Sequence, residues 1–373
     1  MTPDDITTAV LAHEEVAKYL RGGHGQTPLQ ARERVDTYLE ELHTTQRYPF
    51  YRALKHPLYP ILRKIERRYE FVDIVKAATK AGRVVYVSNH KSHTDYLIEP
   101  LAIDDNDIRP PIIAAGINLF GGPMGFLHRH VTGAIPIRRA TKDPGYLITL
   151  KAYVAELLRL HDLLFYFEGG RSYSGELKAP KTGLIQAVLQ AECPGLVIIP
   201  TAIAYDLVLE DRILARQGIK RQQRPFAREL AEMVGQAVGY TSRAFVSFGA
   251  PIPVNDYDAQ SKRESLELAH RIRETIGLLY KVLPTALVAA AMRPSLTRRD
   301  LQGRIDLLLD KLAARGANLA VTDASEAVDD GVRRLAERGV IVSGGGRLRV
   351  RDRIALRYYA HTIAHLLDPD DKA

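Results

Sequence analysis

The 373-residue chain contains one cysteine, Cys193. A single cysteine excludes an intramolecular disulfide and fits a reducing compartment. Pro194 and Gly195 follow it directly, which indicates a buried or loop thiol beside a strand. We therefore do not expect cysteine chemistry to carry the function.

Long apolar runs are also missing. The most apolar segment, residues 282–292, is far shorter than the ~20 residues that cross a bilayer. The first five residues, MTPDD, are polar and acidic and do not have the pattern of a signal peptide. No internal repeat or low-complexity segment is visible. The sequence predicts a globular chain with no transmembrane helix.

Positive charge is in excess. Lys and Arg number 52 and Asp and Glu number 44, a formal net charge of +8, while hydrophobic residues make up 46% of the chain. The apolar share and the length allow a large core, which excludes a disordered chain. A basic protein favours anionic partners, so we expect phosphorylated substrates, an acidic carrier protein, anionic lipid or nucleic acid.

The pattern of apolar runs predicts three regions: an N-terminal helical region over 1–80, a catalytic core over 81–255 and a mostly helical region over 256–373. In the core, strand-like runs alternate with helical stretches at 146–160 and 182–190. Such alternation predicts an α/β fold with a mostly parallel sheet flanked by helices. The strand-like runs are 84–87, 111–115, 134–137, 163–167, 196–204 and 244–248.

Three segments outside the apolar runs have two readings each. Residues 46–80 mix aromatic and aliphatic side chains with many cations, which suits a helix at an anionic bilayer surface or a packed helix with a solvated basic face. Residues 207–243 are basic and form either a docking surface for an acidic carrier or lipid headgroups, or a solvated insertion. A hairpin predicted at 340–350 after helices is typical of a winged helix, a nucleic-acid-binding shape in other proteins.

His90 and Asp95 form the most informative pair in the sequence. They stand in a polar turn directly after the strand-like run at 84–87. A histidine held by a carboxylate is a general base that takes a proton from a hydroxyl. Two other readings fit the spacing, namely an ordinary helix cap and a metal site that includes His93. The segment 128–130, His-Arg-His, would be either a further ligand set or a loop near the substrate entrance.

Two further blocks carry cations and glycines at strand ends. Arg138 and Arg139 follow one run, and Glu168, Gly169 and Arg171 follow another. Guanidinium forks suit a phosphate, and glycine lets the backbone approach a ligand closely. Each block also has an ordinary reading, a solvated charge pair in the first case and a plain turn in the second. Alignment of several strand ends favours a ligand crevice at one edge of the sheet.

Taken in this order, the blocks resemble the bacterial glycerol-3-phosphate acyltransferase family, within the glycerolipid acyltransferase superfamily. Residues 90–97, HKSHTDYL, resemble its first motif, 133–139 the second, 167–175 the third and 198–200 the fourth. The stretch 356–365 resembles the family's C-terminal end. The second motif departs from the pattern, because Ile135-Pro136 stands where a bulky aromatic is usual. The chain is also much shorter than the best-known bacterial members.

The resemblance implies a function. His90 would be the base and Asp95 its support in transfer of an acyl group from acyl-CoA or acyl-carrier protein to the sn-1 hydroxyl of glycerol 3-phosphate, the first step of phospholipid synthesis. Backbone amides of the first and third motifs would stabilise the oxyanion. No cofactor, metal or nucleic acid is implied, and the protein would lie peripherally at the cytoplasmic face of the cell membrane. The residues expected to bind substrate are Arg138, Arg139, Glu168, Gly169, Arg171, Ser172, Lys181 and Pro200.

Three other functions remain open at this point. The first is a related acyltransferase whose acceptor is lysophosphatidate or dihydroxyacetone phosphate. The second is a nucleic-acid-binding protein, which would use the positive charge and the C-terminal hairpin. The third is a lipid-surface scaffold with an inactive site, and the presence of both His90 and Asp95 argues against it.

Overall fold

A central eight-stranded sheet forms the core of the computed structural model, which describes residues 3–22, 26–53, 65–211, 214 and 241–367. A separate three-stranded sheet, β9–β11, lies in the C-terminal region. The strands are β1 (Ile65–Glu70), β2 (Val84–Ser88), β3 (Ile112–Gly116), β4 (Ile135–Ile137), β5 (Leu163–Tyr166), β6 (Val197–Tyr205), β7 (Ser242–Phe248), β8 (Ile252–Pro253), β9 (Ser295–Thr297), β10 (Ile341–Gly344) and β11 (Arg347–Val350).

Five neighbouring strands of the central sheet, in the order β6-β2-β5-β3-β4, run parallel. β7 and β8 pair antiparallel with β6, and β1 pairs parallel with β7 at the edge. Every residue of β2 is buried, as expected for a central strand covered on both faces. The predicted α/β fold with a mostly parallel sheet is confirmed.

Helices cover the sheet and build the two ends of the chain. Several begin with a side-chain cap; Asp143, for example, accepts from the amides of Gly145 and Tyr146. The helices are α1 (Pro3–Ala12), α2 (Glu14–Leu20), α3 (Pro28–Leu42), α4 (Tyr48–Ala53), α5 (Val72–Ala81), α6 (Asp95–Asp104), α7 (Gly122–His130), α8 (Pro144–Leu158), α9 (Gly183–Leu189), α10 (Lys262–Leu279), α11 (Pro284–Ala291), α12 (Arg298–Ala314), α13 (Ala324–Glu337) and α14 (Arg353–His361). Among the helices of the described ranges, none is both long and apolar enough to cross a membrane.

The C-terminal region has the predicted helices and hairpin. α11, β9, α12, α13 and the β10–β11 hairpin follow one another, and β9 pairs antiparallel with β11. α13 packs against the core: Arg338 forms a buried ion pair with Asp211, and Arg334 donates to the carbonyl oxygen of Thr241 at 2.9 Å. This region is thus fastened to the catalytic core.

Residues 65–70 differ from the helix predicted for 46–80. They form β1, whose register places Ile65 opposite Ser242 and Glu70 opposite Ser247. Arg67 and Arg68 therefore lie on an edge strand, where Arg67 pairs with Asp105 at 3.3 Å. Residues 54–64, and most of the basic segment 207–243, lie outside the described residues.

Candidate active site

His90 and Asp95 are brought together at the carboxyl ends of the parallel strands. Nδ1 of His90 lies 2.8 Å from Oδ2 of Asp95. Asn89 anchors the start of the turn that joins them. Its side-chain amide donates to the carbonyl oxygen of Ile203 on β6 at 3.0 Å, and its side-chain oxygen accepts from the amide of Ile203 at 2.8 Å. A carboxylate only accepts hydrogen bonds, so Nδ1 carries the hydrogen and Nε2 is left for a substrate hydroxyl.

Asp95 is completely buried, and polar groups surround its carboxylate. The backbone amides of Lys91 and Ser92 donate to Oδ2 at 2.7 and 2.9 Å, and the hydroxyl of Tyr205 donates to Oδ1 at 2.7 Å. Each of these bonds fixes the orientation of the carboxylate. The pair is therefore a rigid base-and-carboxylate unit, and no side chain needs to move to form it.

The oxyanion donors expected from the first motif are already used. The amide of His90 donates to Glu168 at 3.1 Å, those of Lys91 and Ser92 to Asp95, and that of His93 to Glu210 at 2.6 Å. The expectation is corrected for this motif: its amides bind the carboxylates of Asp95, Glu168 and Glu210. Donors for an oxyanion must come from elsewhere in the site.

The imidazole of His90 stacks on the ring of Tyr166, with ring centroids 4.1 Å apart and planes 14° apart. Burial lowers the pKa of His90, Asp95 partly restores it, and the charges of Arg171 and Arg139 lower it further. A lowered pKa keeps the ring neutral near pH 7, the form that accepts a proton. The environment thus suits a general base.

His90 lines a cavity of about 340 Å³. Much of its wall is apolar and built by β3, β4, β5 and α6, with small residues such as Ala114 and Ala115 leaving room. Three cations, Arg139, Arg171 and Lys178, also line the cavity. The cavity can accommodate a ligand with an anionic end and an apolar end beside the base.

The three cations differ in how they are held. Arg171 lies 3.8 Å from Glu210 and is largely buried, and Nζ of Lys178 donates to the backbone oxygens of Gly170, at 3.3 Å, and Arg171. Arg139 forms no ion pair within the described residues. Burial lowers the pKa of Lys178, Glu168 opposes this, and the charges of Arg171 and Arg139 lower it again. Positive charge without an acid partner, as at Arg139, favours a bound anion.

Arg138 points away from the cavity, unlike its neighbour. Its guanidinium makes a forked contact with Glu41 on α3, at 2.6 to 3.1 Å, and lies 5.1 Å from the ring centroids of both Tyr38 and Tyr146. Arg138 is also absent from the residues that line the cavity. It fastens α3 to the end of β4, so this structure does not place it among the substrate ligands.

The third motif forms the loop that carries the cations. Glu168 lines the cavity and accepts from the amides of His90, at 3.1 Å, and Lys178, at 3.3 Å. Gly169 has a φ of +70°, which side chains other than glycine rarely adopt. Ser172 is buried, and its amide donates to the carbonyl oxygen of His90 at 2.9 Å. Ser172 therefore positions the base rather than lining the cavity.

Like Arg138 and Ser172, two more of the expected substrate residues are not among those that line the cavity. The amide of Lys181 donates to the carbonyl oxygen of Phe167 at 2.8 Å, and its side chain lies beside Gly169. Pro200 lies within β6, opposite Val87, and its carbonyl oxygen accepts from Gly249 at 2.8 Å. Lys181 supports the loop, and Pro200 belongs to the sheet.

Sequence reasoning missed two lysines of the site. Lys178 stands in the loop after the third motif, without a strand end to mark it. Lys91 belongs to the first motif but was not among the residues predicted to act there. Its side chain is 1% exposed, which is unusual for a lysine. Nζ of Lys91 donates to the carbonyl oxygen of Gly175 at 2.6 Å and lies 5.2 Å from the centroid of Tyr280. Lys91 thus ties the first motif to the loop of the third and to α10.

Within the residues that the structure describes, no cluster of three or more His, Cys, Asp or Glu side chains could hold a metal ion. His128 lies in the last turn of α7, in a helix instead of the predicted loop, and lines the cavity together with His93. Burial lowers the pKa of His128, so it contributes a neutral polar surface.

Two family models match this chain. Residues 66–204 match the model described as Acyltransferase, and residues 237–369 match the one described as Glycerol-3-phosphate acyltransferase C-terminal region. The first region contains the His90 cavity and the second contains α10 to α14. The second match also includes β7 and β8, so it begins within the central sheet.

The chain is also similar to curated proteins and to a solved structure. The chain is 29% identical, over 90% of its length, to proteins named glycerol-3-phosphate acyltransferase from Glaesserella parasuis and Aeromonas hydrophila. It covers 46% of each, so it spans about half the length of these relatives. A crystal structure of the 1-acyl-sn-glycerophosphate acyltransferase PlsC from Thermotoga maritima aligns with 74% of this chain and 91% of its own, with a TM-score of 0.37 and 12% identity.

Proposed function

We propose that this chain belongs to the glycerol-3-phosphate acyltransferase family and that it transfers a fatty acyl group from a thioester donor to the sn-1 hydroxyl of glycerol 3-phosphate. The product would be lysophosphatidate. The observation that supports the proposal is the composition of one cavity, which is lined by His90, by apolar residues and by the cations Arg139, Arg171 and Lys178.

The proposed reaction begins with proton transfer. Nε2 of His90 accepts the hydroxyl proton of the acceptor as its oxygen attacks the thioester carbonyl. Asp95 stabilises the imidazolium that forms, through the 2.8 Å contact at Nδ1. When the tetrahedral intermediate collapses, the carbon–sulfur bond breaks and the imidazolium returns the proton to the leaving thiolate. No covalent acyl-enzyme is required, since the acceptor oxygen attacks the donor directly.

The cations have separate tasks in this proposal. Arg139 and Arg171 would hold the phosphate of the acceptor through guanidinium forks. Lys178 stays close to the loop backbone and would support the charge that develops on the oxyanion, together with the amide of Gly170, which lines the cavity. This assignment follows from the first motif, whose amides already bind Asp95, Glu168 and Glu210.

Product analysis tests the reaction and its regiochemistry. Acyl-CoA and acyl-carrier protein should be offered in turn with glycerol 3-phosphate, lysophosphatidate and dihydroxyacetone phosphate as competing acceptors. We expect glycerol 3-phosphate to be used best and the acyl group to be found at the sn-1 oxygen by NMR. Preferential acylation of lysophosphatidate or dihydroxyacetone phosphate would assign the chain to a different acceptor.

We also propose that the protein binds an anionic bilayer surface at the cytoplasmic face of the cell membrane. Phe50 on α4 and Phe126 on α7 are 62% and 64% exposed. The segment before α4 pairs with the end of α7, because Thr45 donates to Arg129 and Gln46 bridges to Thr132, a cavity-lining residue. Exposed aromatic rings at a cavity rim suit insertion at the level of lipid headgroups.

Vesicle co-sedimentation tests the membrane surface. Replacement of Phe50 and Phe126 by Ser should weaken binding to anionic vesicles, while Leu307→Ser, which changes an equally exposed residue of α12, should not. Equal binding by all three proteins would rule out this surface. Binding that does not depend on salt would argue against an electrostatic contribution.

A nucleic-acid role has less support. In a winged helix the second helix of the pair enters the major groove. The corresponding helix here, α13, exposes Asp329 and Glu337 beside Arg333, and Asp323 and Glu326 stand at its start. An acidic helix would be repelled by phosphates. We therefore propose that the C-terminal region acts on the catalytic core rather than on nucleic acid.

A further inference from the structure

A second cavity, of about 370 Å³, lies between α11 and α14, and we name it the C-terminal cleft. Its floor is apolar because both helices present small or aliphatic side chains to it. The floor residues are Ala290, Met292, Leu356, Ala360, Ala364 and Leu367. The size falls within the range of small-molecule sites.

The rim of the C-terminal cleft is cationic. Arg353 and Arg357 stand one helical turn apart on α14, and Arg293 lies opposite, after α11. None of the three forms an ion pair or hydrogen bond in the described parts of the chain. Arg293 is also close enough to Arg304 for its charge, after burial, to lower the pKa of that residue.

One wall of the cleft is the loop of the third motif. Glu176 contributes the one carboxylate among the described lining residues, and it lies 3.7 Å from Nδ1 of His361. The hydroxyl of Ser172 donates to the carbonyl oxygen of Glu176 at 2.7 Å, and Lys91 donates to that of Gly175. A ligand in the cleft would therefore touch the same loop that carries Arg171 and Lys178 to the His90 cavity.

We propose that the C-terminal cleft binds an anionic amphiphile with its head at the three arginines and its acyl chain on the apolar floor. Resting on the proposed function, we assign the ligand as lysophosphatidate, the reaction product, bound as a monomer outside the His90 cavity. Occupancy would restrain the loop through Glu176 and Gly175 and so alter turnover. The cleft would act as a product-sensing site.

Calorimetric titration of the whole chain with eight-carbon lysophosphatidate, below its micelle concentration, tests the assignment. Wild type should bind at two classes of site, one in each cavity. Arg353→Ala combined with Arg357→Ala should weaken one class by about tenfold or more, since two charge-assisted contacts are lost. Arg349→Ala is the matched control, because Arg349 is exposed on the neighbouring β11 and does not line the cleft.

Two further probes and one further variant sharpen the result. Glycerol 3-phosphate, which lacks the chain, and monooctanoylglycerol, which lacks the phosphate, should both bind the cleft more weakly than lysophosphatidate. Ala360→Leu should reduce cleft binding by filling the floor while all arginines remain. A melting temperature close to that of wild type shows that each variant is folded.

The outcomes separate this proposal from the proposed function. One wild-type site that is lost in the arginine double variant supports the cleft and contradicts product binding in the His90 cavity. One site that is lost in Arg139→Ala and kept in the double variant overturns the cleft. Equal loss in Arg349→Ala and in the double variant also overturns it, since only general surface charge would then matter.

Discussion

His90 and Arg139 line the same cavity but are held in opposite ways. Asp95, which holds His90, accepts four hydrogen bonds, from the imidazole, two amides and Tyr205. Arg139 forms no ion pair within the described residues. The first arrangement fixes geometry, which proton transfer requires, and the second keeps charge available, which ligand binding requires.

Adjacent residues show the same contrast on a smaller scale. Arg138 is neutralised by Glu41 and enclosed by two tyrosines, whereas Arg139 faces the cavity. Gly116 makes room for Arg139, because a Cβ atom there would lie 2.5 Å from its guanidinium nitrogen. Identical side chains thus serve structure at one position and binding at the next.

Removal of the base should have the largest effect. We expect His90→Ala to lower kcat by on the order of 10²–10⁴-fold, the usual contribution of a general base. The fold should persist, since the imidazole makes one hydrogen bond and one ring stack. Steady-state kinetics together with circular dichroism check this.

His93→Ala is the control for the base. His93 lines the same cavity but is not paired with Asp95, so we expect a smaller loss. If both variants lost activity equally and regained it with added zinc, a metal site would replace the general base in this account.

Exchange of the two arginines for lysine tests the opposite roles of neighbours. Arg139→Lys keeps the charge and loses the fork, so the KM for glycerol 3-phosphate should rise by about tenfold or more. The KM for the acyl donor should stay nearly constant. Arg138→Lys should leave both KM values near wild type and slightly lower the melting temperature, because the contact with Glu41 weakens. A rise in KM for the acceptor with Arg138→Lys alone would reverse the assignment.

Lys91 joins the first motif to the loop of the third motif, so its loss should have moderate effects on both substrate binding and turnover. Lys91→Met keeps the length of the buried side chain and removes the donor to Gly175. We expect a several-fold rise in the KM for glycerol 3-phosphate and a smaller fall in kcat, because the loop with Arg171 and Lys178 loses its anchor. Lys91→Arg retains donors and should recover part of the loss, which a purely steric defect would not show.

The pH dependence should be the smallest effect. Burial holds the pKa of His90 below its ordinary 6.5, and the base is active only when neutral. The acid limb of kcat/KM should therefore have its midpoint below pH 6.5, with activity rising as pH increases through it. A midpoint above 6.5 would mean that Asp95 outweighs burial at this site.

The sequence predicted the apolar parts of the fold and not the charged ones. Six core strands were recognised as apolar runs, whereas β1, with the sequence IERRYE, carries too much charge to stand out. It is an edge strand, and one of its charges, Glu70, is satisfied by Lys281 at 2.5 Å, across a long sequence separation. Patterning detects a buried strand and misses an edge strand of this kind.

The site was predicted to a similar extent. His90 and Asp95 are close in sequence, so their contact could be inferred from one turn. The family resemblance, carried by the order of the motifs, is confirmed by the two matched regions. Arg138 and Arg139 have different roles because Arg138 pairs with Glu41, which lies 97 residues away in sequence. The local sequence pattern cannot predict a contact at that distance. Lys91 and Lys178 likewise take their roles from long-range packing.

Thiol release from acyl-CoA, with and without glycerol 3-phosphate, tests the central claim most directly. We expect slow thiol release in the absence of glycerol 3-phosphate and a large stimulation when it is added, with one thiol formed per lysophosphatidate. The stimulation should be lost in His90→Ala. Release that is equally fast without the acceptor, or stimulation that survives in His90→Ala, would contradict acyl transfer with His90 as the base.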